Sequence, residues 1–258
     1  MKNKILSIVF VALMVSISGP SMAWGKKGHE MVAAIAYHYL DAATKEKVKK
    51  YLGKYSFEEA ATWMDESRSN SYYDYMRTWH YLDFSKGAEF KPTGEHNIIT
   101  VLNSAIASAK RYDSIKRKDV QYDLLLMFHL VGDLHQPLHV GYPEDRGGND
   151  ISVRAAKFSA NLHSSWDTEI IDAAGVTLED CYKLYDGYNA QEVSDIKKIN
   201  IMGWMRESRS FLDTVYGFKD NYLDKNYVDN AGIIIKKQLL LGGLRLASLL
   251  QEVFATKG

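Results

Sequence analysis

Cysteine is all but missing from this chain: Cys181 is the only one in 258 residues. A chain with one cysteine holds no internal disulfide, so the fold must rest on its core. With 46% hydrophobic residues, a sizeable core is available. Excess charge is missing too, since Lys+Arg and Asp+Glu both number 32. That excludes a global polybasic surface, and a polyanion such as nucleic acid would have to be held by something local. Long apolar runs are confined to the start. Ile5 to Ser18 follows Lys2 and Lys4, and Gly19-Pro20 ends it. The run falls short of the ~20 residues that span a bilayer. Ser21-Met22-Ala23 then sets small residues before a cut, the pattern of a secretory signal peptide cleaved after Ala23. Residues 1–23 are therefore expected to be removed. The remaining 24–258 should form one domain, secreted or periplasmic, monomeric and without stable membrane association.

No repeat, linker or low-complexity segment interrupts that domain. Apolar residues recur at helical spacing over 27–39, 43–52, 57–66, 97–111 and 120–135, the last with Pro137 just beyond it. Helical patterns resume at 161–174, 177–188, 195–218 and 227–254. Between them, 142–160 reads as one long irregular loop. Gly147-Gly148-Asn149-Asp150 is a turn signal, and Ile151-Ser152-Val153 is the one strand candidate. The expected fold is a single all-α domain.

The chemistry gathers around histidine. His129 and Asp133 are four residues apart, so on a helix both face the same side about one turn apart. The surrounding helix is apolar, and burying an imidazole with a carboxylate demands a metal or a hydrogen-bonded partner. His163 and Asp167 repeat the spacing, and His139 lies just past Pro137. Two such pairs with a third histidine suit a zinc site. Further candidates are His29 near the new N-terminus, Asp65 with Arg68 three residues on, and His80 before Tyr81 and Asp83. Singly each is bland, because a histidine among aromatics is usually a core residue and Asp65–Arg68 reads as a helix ion pair. His38, His96 and His135 read as non-ligands, His135 because it points off the Asp133 face.

As a set these residues closely resemble the S1/P1 nuclease family. The resemblance runs from Trp24 through Gly28-His29, Trp63-Met64-Asp65, Trp79-His80-Tyr81-Leu82-Asp83, His129 to Asp133, His135 to His139, Gly147-Gly148-Asn149 and His163 to Asp167. It implies a predominantly helical fold carrying three zinc ions. One would be held by Asp65, His80, His129 and Asp133. The second would take the α-amino nitrogen and carbonyl of Trp24 with His29 and Asp133, and the third His139, His163 and Asp167. Six positive charges against three ligand carboxylates would leave a formal surplus of three, enough to draw a phosphodiester to a chain of zero net charge. The implied activity is hydrolysis of single-stranded DNA and RNA, with 3′-nucleotidase activity, by a metal-bound hydroxide. Arg68 would contact the phosphoryl oxygens, Tyr81 and Asp83 would line a base pocket, and Asn149 would lie near the scissile nucleotide. The glycines beside Asn149 would let backbone approach substrate.

The sequence departs from the fungal members in its single cysteine and in having no Asn-X-Ser/Thr sequon in 24–258, which suits a bacterial member. A related zinc phospholipase C is the nearest rival. The short Trp24-to-His29 interval, Asp167 where those lipases use glutamate, and the lack of an apolar or basic membrane-binding run speak for the nuclease. A metal-storage protein would explain clustered His and Asp, but not an N-terminal ligand or Arg68 beside it.

Overall fold

A computed structural model describes residues 24–91 and 94–255. The expected signal peptide lies outside the described residues. The first helices are α1 (Lys26–Tyr39), α2 (Ala42–Leu52), α3 (Phe57–Glu66), α4 (Ile98–Ala109) and α5 (Arg117–Leu134). Local chemistry sets their starts. Ser56 caps α3 by accepting the Glu59 N–H at 3.1 Å, while Glu59 accepts the Ser56 N–H at 2.7 Å. Asn97 caps α4 in the same reciprocal way with Thr100.

The middle of the domain is α5, buried on every side from Asp123 to Leu134. It packs against α1, α2, α3, α4 and the long C-terminal helix. A helix apolar all round belongs in a core, so the polar His129 and Asp133 stand out there. After α5 the chain passes a short 3₁₀ turn (Pro137–Val140) and the strands β1 (Ser152–Ala155) and β2 (Ser159–Asn161). Then come α6 (Leu162–Ser164), a π-helical turn (Ser165–Glu169), α7 (Ile170–Ala173), α8 (Leu178–Asp186), α9 (Ala190–Ile196), α10 (Ile201–Arg209) and α11 (Leu212–Val215). Last are β3 (Tyr222–Leu223) and α12 (Lys225–Val253), which lies along α1 and α5.

The helical expectation holds, with three differences. Two more strands join the expected one in a small sheet of order β2-β1-β3. In it β1 pairs antiparallel with β2 (Val153 opposite Ala160) and parallel with β3 (Ala155 opposite Leu223). Strands of two or three residues are too short to show alternation, and β3 follows two left-handed residues, Asp220 and Asn221. The pattern over 195–218 is three helices rather than one, because extended Asn200 restarts it by accepting the Gly203 N–H at 2.9 Å. Irregular backbone is not confined to 142–160 either. Among the described residues no regular helix or strand lies between Met76 and Ile98. Part of that stretch runs beside the turn after α5, with Leu82 donating to the His139 carbonyl at 2.8 Å and Phe84 to Gly141 at 3.3 Å.

Candidate metal centre

Three helices carry the first group of candidate ligands to one point: α1 brings His29, α3 brings Asp65 and α5 brings His129 and Asp133. His80 joins them from the irregular stretch. Around Asp133, His29 Nε2 lies 3.2 Å from Oδ1, and His80 Nδ1 and His129 Nε2 lie 3.0 and 3.2 Å from Oδ2. Asp65 Oδ1 is 3.8 Å from His129 Nε2. His29 stacks on His129 with ring centroids 4.0 Å apart. That stacking needs Gly132 on α5, where a Cβ would lie 2.8 Å from His29 Nδ1.

The second group forms where the turn after α5 meets the π-helical turn. His139 Nε2 and His163 Nε2 are 3.1 Å apart, and Asp167 Oδ2 is 3.6 Å from His163 Nε2. All of these residues are buried, and their ligand atoms fall into three groups that could each hold a metal ion: His29, His129 and Asp133; Asp65, His80 and His129; His139, His163 and Asp167.

Which ring nitrogens carry protons is decided by neighbouring carbonyls, which only accept. His129 Nδ1–H donates to Ala61 O at 2.7 Å, His139 Nδ1–H to His80 O at 2.7 Å and His163 Nδ1–H to Gly147 O at 2.6 Å. In the neutral rings each Nε2 therefore presents a lone pair. The two lone pairs of His139 and His163 face each other at 3.1 Å, while His129 Nε2 faces a carboxylate oxygen, where Asp133 and Asp65 outweigh burial and raise that ring's affinity for a proton. Acceptors set against acceptors repel unless a cation lies between them. His29 Nε2 and Asp133 Oδ1 are within 3.2 Å, yet neither makes a hydrogen bond. With His129 they form a group whose ligand atoms all lie within 4.8 Å of one another. Asp167 Oδ2 is likewise buried without a hydrogen bond.

The electrostatics run the same way. Burial opposes charge on Asp133, but His129, whose own affinity for a proton is raised here, outweighs it and holds that carboxyl well below the usual range, so this point calls for a cation. Burial pushes the Asp167 carboxyl well above that range, only partly offset by the Gln136 amide at 2.5 Å. Burial also lowers His80 to about 4 and His163 to about 3, keeping both neutral as a metal ligand requires.

The family model of the S1/P1 nuclease matches residues 24–255. The chain belongs to the S1/P1 nuclease family. Endonuclease 4 of Arabidopsis thaliana is 26% identical over 96% of this chain and 94% of its own. Nuclease P1 of Penicillium citrinum is 28% identical over 91% of this chain and 99% of its own. Among solved structures, the Clostridium perfringens alpha-toxin from avian strain SWCP matches with a TM-score of 0.53 at 16% identity, over 93% of this chain and 66% of the toxin chain. That likeness is one of fold. Family membership makes the chain a nuclease, a hydrolase of phosphodiester bonds.

Within this nuclease the expected site residues fall in two places. The eight ligand side chains are gathered in the buried groups above, His163 on α6 and Asp167 on the π-helical turn that follows it, where one continuous α-helix was expected. Trp24 is buried beside them. Its ring packs on Gly28, and the Gly25 N–H donates at 2.9 Å to the carbonyl of Asp167. Only glycine fits at position 25, since a Cβ there would lie 2.2 Å from Thr168 Oγ1. Arg68 sits on a 3₁₀ turn (Ser67–Ser69) just past α3 rather than on a helix, its Nη2 2.9 Å from Asp65 Oδ1. Tyr81, Asp83 and Asn149 line one cavity of about 540 Å³ with Leu138, Phe90 and His163. Burial pushes the Asp83 carboxyl up to about 7.

The Gly147-Gly148 pair also serves a close approach within the chain. Both glycines have positive φ (62° and 81°), and a Cβ on Gly147 would lie 2.5 Å from the Leu138 carbonyl. The close approach they permit is to the turn after α5, and it aims the Gly147 carbonyl at His163. His135 is a core residue, as expected, between the Val131 carbonyl (2.7 Å) and Arg245 Nη1 (2.8 Å).

Sequence reasoning missed two residues that hold the site. Buried Gln136 donates to Asp167 and accepts the Leu138 N–H, both at 2.5 Å. Its place between candidate ligands was a usable signal. Arg209 on α10 donates to the carbonyls of Val140 (2.5 Å), Gly141 (2.6 Å) and Ser85 (3.1 Å), and also to that of Phe84, over whose ring it lies. It straps the two irregular stretches together, and nothing in its local sequence points to it.

Proposed function

We propose that this nuclease is a secreted, zinc-dependent enzyme that cuts single-stranded DNA and RNA to 5′-phosphorylated products and removes 3′-phosphates from nucleotides. The observation that carries the metal reading is the set of imidazole lone pairs turned toward one another, each fixed by a carbonyl behind its ring. Nitrogen and carboxylate donors in these numbers suit zinc. Asp65, His80, His129 and Asp133 would hold one ion. His29, Asp133 and the processed end at Trp24 would hold a second, and His139, His163 and Asp167 a third. Zinc bound there would supply Lewis-acid charge and an activated water.

The chain's own residues do the rest. Arg68 stands beside Asp65, where its guanidinium can bind phosphoryl oxygens and offset their charge. Tyr81, 40% exposed at the cavity mouth, offers a ring on which a base can stack. Asp83 offers a carboxyl to a base edge, and its Oδ1 is buried without a hydrogen bond. Asn149 faces the same cavity. A base must leave its stack to enter, which favours single strands over duplex. Leu138 and His163 place that cavity against the third group of ligands.

Three substrates test the reading: single-stranded DNA, a 3′-mononucleotide and phosphatidylcholine, each with and without chelator. Hydrolysis of the first two, lost on chelation and restored by zinc, is expected. Hydrolysis of phosphatidylcholine alone would make the chain a lipase.

A further inference from the structure

Seven large hydrophobic side chains are exposed among the described residues, and Tyr72, Tyr75 and Tyr81 account for three of them within one short segment. They are not isolated. Ring centroids step from Tyr72 to Tyr75 (6.5 Å), from Tyr75 to Trp79 (5.1 Å) and from Trp79 to His96 (5.8 Å). His96 and Tyr81 already line the cavity described above, so the row is continuous with it. Its other end begins four residues beyond Arg68.

The row is backed by a second layer that keeps it in place. Tyr73 and Tyr122 meet Trp63 edge-on at 5.3 and 5.8 Å. Tyr75 and Tyr122 share a hydrogen bond of 3.0 Å between their hydroxyls, and the N–H of Tyr72 is held by Asn70 at 3.0 Å. Burial of the inner rings accounts for the fold of this segment. It does not account for Tyr72 at 73% and Tyr75 at 49% exposure, since an apolar patch of this kind on a surface marks an interaction site.

The chain is neutral overall, and the nearby Arg77 is engaged by Asp74 at 2.8 Å. A ligand that would pay for contact with bare rings in a weak field is one with flat faces of its own. Bases of single-stranded nucleic acid have them, and base–aromatic stacking is worth ~1–3 kcal/mol per base without regard to sequence.

We propose that Tyr72, Tyr75 and Trp79 form a stacking track for the nucleotides of a single strand that lie beyond the one held in the Tyr81–Asp83 cavity. The track makes the enzyme favour long strands over short ones, and it rests on the nuclease reading of that cavity.

The test compares a dinucleotide, too short to reach the track, with an oligonucleotide of about twelve nucleotides, on the zinc-loaded, processed enzyme. In the double variant Tyr72→Ala with Tyr75→Ala, KM for the longer strand should rise by about ten-fold with kcat little changed. The dinucleotide should be cut as by the unaltered enzyme, which also shows that the variant is folded. Tyr75→Phe, which keeps the ring and loses the hydroxyl contact, should retain most of the preference for length. Equal KM for the longer strand in the double variant and the unaltered enzyme would overturn the track and leave this face to a protein partner. An equal loss on both substrates would overturn it as well, as a defect of the centre. If the unaltered enzyme cuts neither substrate, the nuclease reading of the cavity fails and takes the track with it.

Discussion

Half of the candidate ligands and the cavity beside them are built from opposite kinds of backbone. Asp65, His129, Asp133 and His29 stand on regular helices, α3, α5 and α1, packed around the core of the domain. Each ring with a fixed proton has it fixed by a main-chain carbonyl. The cavity is walled by turns and irregular chain from 78–91, 94–97 and 138–149, held to one another by backbone bonds and by the Arg209 strap. A rigid frame suits groups that must meet a cation within tenths of an ångström. Irregular chain suits a surface that must admit bases of different shape.

That contrast predicts a graded set of losses. The largest belongs to Asp133, whose two oxygens lie within 3.2 Å of three histidines. Asp133→Ala removes the carboxylate that lies against three candidate ligand rings and leaves those rings facing each other. Loss of a residue that merely supports a ligand costs about ten- to a hundred-fold in metal affinity or activity, so loss of a ligand itself should cost at least about a hundred-fold in activity. Elemental analysis should show fewer zinc ions, and full zinc content would remove Asp133 from the frame.

Next is the chain's start. A single residue left in front of Trp24 should convert its α-amino nitrogen to a peptide nitrogen, which cannot ligate. Activity should fall by about ten- to a hundred-fold with loss of zinc from one site. Full activity in that protein would sink the N-terminal ligand and leave the side-chain groups to stand alone.

On the cavity side the effect should be smaller and of another kind. Arg209→Ala releases the strap between Phe84 and the Val140–Gly141 turn without removing any candidate ligand. KM should rise by about ten-fold while zinc content and the dinucleotide kcat change little. Loss of zinc in this variant would show that frame and wall are one unit.

The same contrast governs what could be read from the sequence. His129–Asp133 was legible because a helix converts a spacing of four into a shared face, and α5 is a helix throughout. His163–Asp167 was legible for a partly mistaken reason, since the chain passes from α6 into a π-helical turn between them and still brings the pair within 3.6 Å. Gly132 escaped notice because its role, room for the ring of His29, is set by a helix distant in sequence. Arg209 escaped for the same reason: its four carbonyl partners lie more than sixty residues away. Periodicity reports which face of an element is buried, and is silent on what crosses between irregular segments.

The smallest predicted effect is a pH dependence that belongs to the cavity and not to the frame. Burial raises the Asp83 carboxyl from 3.8 to about 7, against a backbone N–H from Gly141 that lowers it. The folded state therefore holds a proton that the unfolded chain has released. The stability this represents is fully present below pH 3.8 and is lost as pH rises through about 7. Asp83→Asn keeps a neutral side chain of the same shape and cannot titrate. Thermal melting at fixed zinc should then show the variant gaining on the unaltered protein from about pH 4 to about pH 7, and holding a constant lead above that. The lowered histidines of the frame titrate in both proteins and cancel in the difference. Parallel melting curves across that window would mean that Asp83 is ionised throughout, and that it meets a base edge only as an acceptor.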